Sequence, residues 1–202
     1  MNIKYNLSNS ILGGFILKRL TTKELLFLSL EELNQTQPLS KITINQIVKN
    51  CGFKRGTFYY YFKDKEDLVQ SSVSDAILQV HQKYYPEGSW LTVLEHSLQF
   101  SENHRQLLRD VHDNRNWFYT DFLSYIEEYI LSIATSYYKK KYNTKPPIPI
   151  LAAISFYCAG SIRLYQEWIC SNNPLSVSEM AMTINNLVPD CLQEVLNGGS
   201  IQ

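Results

Sequence analysis

The side chains best suited to bind another molecule lie close together between residues 54 and 65. Lys54 and Arg55 can donate hydrogen bonds to the edges of guanine bases, and the missing side chain of Gly56 allows close approach to the backbone. Hydroxyl and amino groups that suit phosphate oxygens follow at Thr57, Tyr59, Lys63 and Lys65. This order of residue types is typical of contact with the bases and phosphates of a nucleic acid.

A helix, a tight turn and a second short helix are predicted to position these side chains. Thr43 is a good N-cap for the first helix, and Gly52 in the turn can adopt a positive φ. The second helix spans 54–62, and a longer helix starts near Asp64. In a helix-turn-helix, the second helix contacts base edges with its N-terminal residues. Thr43 and Asn45, at the start of the first helix, are further candidates for phosphate contact.

Core and contact residues can be separated within the second helix. Phe58 and Phe62 are four residues apart, so we expect both in the core. One helix cannot bury all three tyrosines at 59–61, so at least one is exposed beside Lys54 and Arg55. Helix pairs of this kind also occur without DNA, and spacing alone leaves that alternative open.

This part of the chain also carries a family resemblance. It runs from Ile42 to Leu68, ITINQIVKNCGFKRGTFYYYFKDKEDL, and resembles the N-terminal domain of the TetR family of bacterial transcriptional regulators. The resemblance covers about residues 20–70 and implies an all-α homodimer with two DNA-binding heads on a palindromic operator. The base contacts it implies are Lys54, Arg55 and Gly56, and the phosphate contacts are Thr43, Thr57, Tyr59, Tyr60 and Lys65, with Asn45 and Lys63 as further contacts. The chain also resembles the subgroup that includes the dihydroxyacetone kinase operon activator, because both have a basic arginine in the turn and a tryptophan, here Trp168, in the penultimate helix.

Length and composition favour a globular, mostly helical protein. The chain has 202 residues, 45% of them hydrophobic and 19% charged, with only 8 glycines and 7 prolines to break helices. The pattern predicts an all-α fold of about nine helices: an N-terminal extension (1–19), a helix-turn-helix domain (20–68) and a helical effector-binding and dimerisation domain (69–202). A formal net charge of +0 excludes binding to nucleic acid by bulk charge alone, although residues 1–70 hold ten Lys and Arg against six Asp and Glu.

Two C-terminal segments are candidates for the homodimer interface that the resemblance implies. Residues 150–170 are apolar nearly all round, and small residues such as Ala152 and Gly160 permit close approach. A central core helix is the alternative for this segment. Residues 176–196 form one predicted amphipathic helix that could supply the other face of the interface.

An effector site is predicted among the middle helices, with its alternatives open. Aromatic residues there could line a cavity or form an ordinary core: Trp90, Phe100, Trp117, Phe118, Phe122, Tyr125, Tyr157 and Trp168. Arg163, inside an apolar helix, would either hold an anionic ligand or pair with Glu167 one turn further on.

The favoured function is a DNA-binding repressor that a small-molecule effector releases. The alternative is a regulator, either an activator or a co-regulator, that a protein partner controls, and it predicts a filled core with no ligand cavity. We expect no enzyme, because no nucleophile–base set, phosphate loop or paired carboxylates stand out. The four scattered cysteines and the lack of a metal motif predict a cytoplasmic protein without metal or cofactor, and we predict no membrane partner.

Overall fold

All regular structure in the described part of the chain is helical. The computed structural model describes residues 20–85, 89–114 and 117–197, without the side chains of 113–121. Within these ranges it contains ten α-helices, a single turn of 3₁₀ helix at Leu39–Lys41 and no strand. The all-α prediction is therefore confirmed, whereas the predicted N-terminal extension, 1–19, lies outside the described residues.

The chain divides into two compact units, which we call unit 1 (Met1–Val73) and unit 2 (Ser74–Gln202). Unit 1 contains α1 (Thr22–Asn34), α2 (Ile44–Asn50), α3 (Arg55–Tyr61) and the first part of α4 (Lys65–Tyr84). Unit 2 contains the rest of α4, α5 (Trp90–Asn103), α6 (Arg105–Asn114), α7 (Trp117–Tyr142), α8 (Ile148–Cys170), α9 (Val177–Asn186) and α10 (Asp190–Asn197). Helix α4 therefore has residues in both units.

The last predicted helix proves to be two helices. The prediction of one helix over 176–196 is wrong, because residues 187–189 separate α9 from α10. Pro189 explains the break: proline has no N–H to donate, and its ring clashes with the carbonyl four residues earlier. The amide of Val188 bonds instead to Asn185 O (3.1 Å), at the shorter spacing of a turn. The described residues thus hold ten α-helices where about nine were expected.

Apolar side chains from each helix hold unit 1 together. Leu26 of α1, Ile47 of α2 and Phe58 of α3 are fully buried. A buried hydrogen bond from Ser29 Oγ to Ile47 O (2.8 Å) ties α1 to α2, and α2 packs directly on α3. Helix α3, which carries most of the candidate contact residues, is therefore held in position by the buried apolar side chains of unit 1.

Helix α8 is the central element of unit 2. Helices α6, α7, α9 and α10 contact it, and α5 packs against α9. One face of α8 is buried and includes Ile154, Tyr157, Ile162 and Trp168. Its 23 residues would be long and apolar enough to cross a membrane, a test of length and composition that core helices of globular proteins also pass.

Candidate nucleic-acid interface and ligand cavity

The turn between α2 and α3 has the geometry that the sequence predicts. Thr43 caps α2 reciprocally: its amide donates to Gln46 Oε1 (2.8 Å), and the amide of Gln46 donates to Thr43 Oγ1 (3.3 Å). After α2, Gly52 has a φ of 77°, and the amide of Phe53 bonds to Val48 O (2.7 Å). A Cβ at Gly52 would meet nothing within 4 Å, so the left-handed backbone is the reason for glycine here.

Helix α3 presents its candidate contact residues to solvent and buries its aromatic anchor. Phe58 is completely buried, whereas Tyr60 is 81% exposed and Tyr59 is 47% exposed, as the sequence analysis predicts. The Arg55 guanidinium donates to the Tyr59 hydroxyl (3.0 Å) and lies 5.4 Å from the centroid of that ring. A Cβ at Gly56 would meet nothing within 4 Å, so the space beside this backbone is open.

Most of the ten predicted DNA-contact residues share one exposed stretch of unit 1. Those that are exposed are Thr43, Asn45, Lys54, Arg55, Gly56, Tyr59, Tyr60 and Lys63, and those that are half-buried are Thr57 and Lys65. The exposed set lies at the start of α2, along α3 and in the loop after α3. Lys41 and Lys49 are exposed on the same stretch of chain and add two positive charges to it. This surface, residues 41–63, has the charge and the hydroxyl groups that contact with phosphates requires.

Lys65 has a structural contact that the sequence did not predict. Its Nζ donates to Leu39 O (2.7 Å) and to Ile42 O (2.6 Å), carbonyls of the 3₁₀ turn and of the residue after it. The ammonium thus joins the start of α4 to the chain just before α2. We therefore interpret Lys65 as a residue that stabilises unit 1 through these hydrogen bonds, and not as the phosphate contact that the family resemblance implies.

Replacing Lys65 by methionine is expected to lower the free energy of unfolding by about 2 kcal/mol. The substitution keeps most of the apolar stem but leaves two carbonyls without their charged donor, and hydrogen bonds to charged groups contribute about 1.5–3 kcal/mol. Urea unfolding followed by circular dichroism measures the change. Lys63→Met is the matched control, because this side chain is exposed; equal destabilisation by both variants would contradict the role given to Lys65.

Unit 2 contains a cavity of about 90 Å³ between α4, α5, α7, α8 and α9. Three of the aromatic residues predicted for an effector site line it: Trp90, Phe122 and Tyr157. The remainder of the lining is mainly aliphatic, and it includes Ile77 from α4 and Ile184 from α9. The structure therefore brings side chains from five helices together around a cavity, whereas the sequence alone did not distinguish a cavity from an ordinary core.

The other effector-site candidates have different surroundings. The described candidates that do not line the cavity are Phe100, Tyr125, Arg163 and Trp168. Arg163 is exposed and pairs with Glu167 (2.8 Å), so the ion-pair alternative describes it and the anion-binding interpretation does not. Trp168 is buried, and its indole N–H donates to Leu175 O (2.7 Å). The side chains of Trp117 and Phe118 lie outside the described residues.

Hydrogen bonds among the lining residues fix part of the cavity wall. The indole N–H of Trp90 donates to the Tyr157 hydroxyl (2.9 Å), which in turn donates to Ile184 O (3.4 Å). The Tyr165 hydroxyl bonds to Ser101 Oγ (3.2 Å). Burial raises the pKa of Tyr157 and that of Tyr165 to about 12, so both hydroxyls keep their protons at neutral pH.

Sequence reasoning missed the hydroxyl-bearing part of the lining. It consists of Ser97, Ser101, Tyr129, Ser161 and Tyr165. A signal was present, because Ser97 and Ser101 are four residues apart on α5, and Ser161 and Tyr165 are four apart on α8. Residues at that spacing share one face of a helix. The spacing therefore predicts that the two polar residues of each pair lie on the same face of their helix.

The face of α8 opposite the core is exposed and apolar. It repeats every four residues through Ile148 (80% exposed), Ala152, Phe156 (81% exposed) and Gly160, where a Cβ would meet nothing within 4 Å. Met182 of α9 is also exposed. The segment predicted to supply the other face of the interface, residues 176–196, buries five apolar side chains inside unit 2: Met180, Ile184, Val188, Leu192 and Val195.

Comparisons with known proteins agree with this architecture. A family model described as bacterial regulatory proteins, tetR family, matches residues 30–71, and one described as transcriptional regulator C-terminal region matches residues 88–190. Among solved structures, the dihydroxyacetone kinase operon activator DhaS is similar with a TM-score of 0.67 and 17% sequence identity. The similarity covers 87% of this chain and 98% of that one, and at this identity it shows a shared fold. No curated protein sequence matches the chain.

Proposed function

Since this chain belongs to the TetR family of bacterial regulatory proteins, we propose that it is a repressor that binds a palindromic operator as a homodimer and is released by a small molecule. It is a DNA-binding transcriptional regulator. We assign DNA binding to residues 20–68, and effector binding and dimerisation to residues 69–202. The observation that carries the proposal is the start of α3, where Lys54, Arg55 and Gly56 are exposed among the described residues.

The proposed DNA contacts follow from the exposure of unit 1. Lys54 and Arg55 face bases at the N-terminal end of α3, the part of a recognition helix that reaches base edges. Gly56 admits the duplex close to the backbone. Phosphate contacts are assigned to residues that precede and follow that end of the helix in the sequence: Thr43, Asn45, Thr57, Tyr59, Tyr60 and Lys63. In this arrangement the bond from Arg55 to the Tyr59 hydroxyl holds the guanidinium in a defined position before DNA arrives.

The proposed homodimer uses the exposed face of α8. Ile148 and Phe156 are large apolar side chains that are about four-fifths exposed, and burial against a second copy would remove them from water. Ala152 and Gly160 alternate with them and allow two helices to approach closely. Met182 extends this surface onto α9. A two-fold dimer places the same face of both copies in contact, which suits a palindromic operator.

Helix α4 is the proposed route from the effector to DNA. Ile77 of α4 lines the cavity, and Lys65 at the start of the same helix bonds to the chain before α2. A ligand that displaces Ile77 would move α4 and, with it, the recognition helix α3, which residues 62–64 join to α4. Two recognition helices must lie about 34 Å apart to enter successive major grooves, so a small shift is sufficient to lose the operator.

Control by a protein partner, the alternative from the sequence, requires a filled core. The cavity of about 90 Å³ in unit 2 favours a small-molecule effector over that alternative. The cavity is larger than the space that a single water occupies in liquid water, about 30 Å³.

The test is binding to the DNA upstream of the protein's own gene, measured by fluorescence anisotropy across a salt series. Wild type is expected to bind this fragment saturably and to lose affinity steeply as salt rises, because counterions are released at each phosphate contact. Arg55→Ala is expected to weaken binding about 5- to 150-fold, the equivalent of 1–3 kcal/mol for a side chain that reads a base edge.

A control variant separates a specific contact from the loss of one charge. Lys145→Ala removes an exposed cation from unit 2 and is expected to change the affinity by less than about threefold. Specific, saturable binding that Arg55→Ala leaves unchanged would overturn the assignment of α3 as the recognition helix.

A further inference from the structure

The cavity in unit 2 is lined without any charged side chain among the described residues. Its wall combines aliphatic and aromatic groups with hydroxyls, and no Asp, Glu, Lys, Arg or His lies among its described residues. His81 does not line the cavity; the centroid of its ring lies 4.8 Å from that of Tyr129, and burial lowers the pKa of this imidazole. An ionised ligand would therefore lose its hydration without gaining an opposite charge, and such a transfer is strongly unfavourable.

Two hydroxyl groups in this wall lack the partner that a buried polar group normally has. The Tyr129 hydroxyl is buried and has no hydrogen-bond partner among the described residues. Ser161 lies close enough to Tyr157 to lower the pKa of that phenol, but Ser161 Oγ has no partner at hydrogen-bond geometry. By contrast, the Tyr165 hydroxyl bonds to Ser101 Oγ (3.2 Å), and Ser101 Oγ donates to Ser97 O (3.3 Å). Unpartnered buried hydroxyls are rare in native structures and mark a place where another polar atom belongs.

The volume of the cavity limits the size of that molecule. An engineered cavity of about 150 Å³ binds benzene, which has six heavy atoms. In proportion, a cavity of about 90 Å³ accommodates a molecule of about four heavy atoms, or of five after a slight adjustment of its wall. Only one or two of those atoms can be polar, since the hydroxyls that need a partner belong to two side chains.

We propose that the cavity binds a compact neutral alcohol or carbonyl compound, whose oxygen bonds to the Tyr129 hydroxyl and whose apolar body fills the space beside Trp90 and Ile77. This rests on the proposed effector function and specifies the chemistry of its ligand. Tyr129 donates to the ligand oxygen, because burial raises the pKa of this phenol well above its usual value and keeps it protonated. Ser161 is the second polar contact, and it can donate or accept.

The test uses 2-butanol and propionate, which have five heavy atoms each and differ in charge. Both are titrated into the full-length protein, and the indole N–H resonance of Trp90, assigned with Trp90→Phe, reports binding because this group lines the cavity. We expect 2-butanol to shift that resonance saturably at millimolar concentration and propionate to leave it unchanged. Tyr129→Phe is expected to weaken 2-butanol binding about five- to tenfold through the loss of one hydrogen bond.

Tyr138→Phe is the matched control, since it removes a hydroxyl from the same helix at a residue that does not line the cavity. It is expected to leave 2-butanol binding unchanged. Tyr129→Phe removes only an unpartnered hydroxyl, so the variant is expected to melt no lower than wild type, and Ser161→Ala provides an independent second variant. The ligand assignment is overturned if propionate binds as tightly as 2-butanol, if both cavity variants bind like wild type, or if neither probe shifts the resonance.

The DNA experiment separates this inference from the proposed function. Anisotropy with the upstream fragment is repeated at saturating 2-butanol. Binding of 2-butanol that depends on Tyr129, together with unchanged DNA affinity, supports the ligand class and contradicts release by an effector. Specific DNA binding in a protein that takes up neither probe leaves the regulator standing and contradicts the ligand class.

Discussion

Replacing Phe58 by alanine is expected to lower the free energy of unfolding of unit 1 by about 3–5 kcal/mol and to abolish DNA binding. The side chain is completely buried, and its ring contacts those of Phe62 (centroids 5.8 Å apart) and Tyr59 (5.7 Å). Truncating a buried phenylalanine loses its transfer free energy and leaves a void. Because total stability of a domain is about 5–15 kcal/mol, this loss populates the unfolded unit.

The distribution of tryptophans allows the two units to be followed separately. Trp90, Trp117 and Trp168 are the three tryptophans, and all belong to unit 2. In urea, Phe58→Ala is expected to show an early loss of helical circular dichroism, while the tryptophan fluorescence transition stays near its wild-type midpoint.

Tyr60→Ala is the matched control for Phe58→Ala. It removes an aromatic side chain from the same helix, two residues further on, at a position that is 81% exposed. We expect its free energy of unfolding to change by less than about 0.5 kcal/mol, as for other surface substitutions. Equal destabilisation by the two variants would contradict the assignment of Phe58 as the anchor of α3.

Replacing Phe156 by glutamate is expected to dissociate the proposed homodimer. Phe156 is 81% exposed in the single chain, and its neighbours on that face of α8 are apolar or small. In a two-fold interface the substitution would place a charge from each copy in an apolar contact, where the carboxylates repel each other and lack hydration. Loss of a central aromatic anchor typically costs 2 kcal/mol or more, so the dissociation constant is expected to rise at least about 30-fold.

Sedimentation velocity over a concentration series measures this change directly. The control is Tyr142→Glu, which adds the same charge at a position that is 51% exposed at the end of α7. It is expected to sediment as wild type does. A Phe156→Glu protein that remains dimeric at wild-type concentrations would show that α8 does not form the interface.

The predictions that the structure confirms are those that depend on residues close together in the chain. The cap at Thr43 needs only Gln46, three residues away, and the turn at Gly52 needs only its own backbone freedom. The Phe58 and Phe62 spacing likewise defines the buried face of α3 without any knowledge of what covers it. The break between α9 and α10 is also local, since it follows from the missing N–H of Pro189, but the prediction of one helix over 176–196 overlooked it.

Two other differences between prediction and structure depend on residues far apart in the chain. The family resemblance implies a phosphate contact for Lys65, but its Nζ bonds to carbonyls 26 and 23 residues earlier in the chain. No local sequence pattern indicates that these groups lie close together. In α8, apolar periodicity alone did not distinguish the exposed Phe156 from the buried Tyr157.

The sequence by itself therefore determined the all-α class, the helix-turn-helix and its family, because caps, turns and short motifs arise within a few residues. Only the tertiary structure decided which aromatic side chains surround a cavity and which fill the core. The bond from Trp90 to Tyr157 joins residues 67 positions apart, and the cavity wall comes from five helices. The direction in which each helix turns its polar residues is set by how those helices pack, and helix packing is a property of the whole unit.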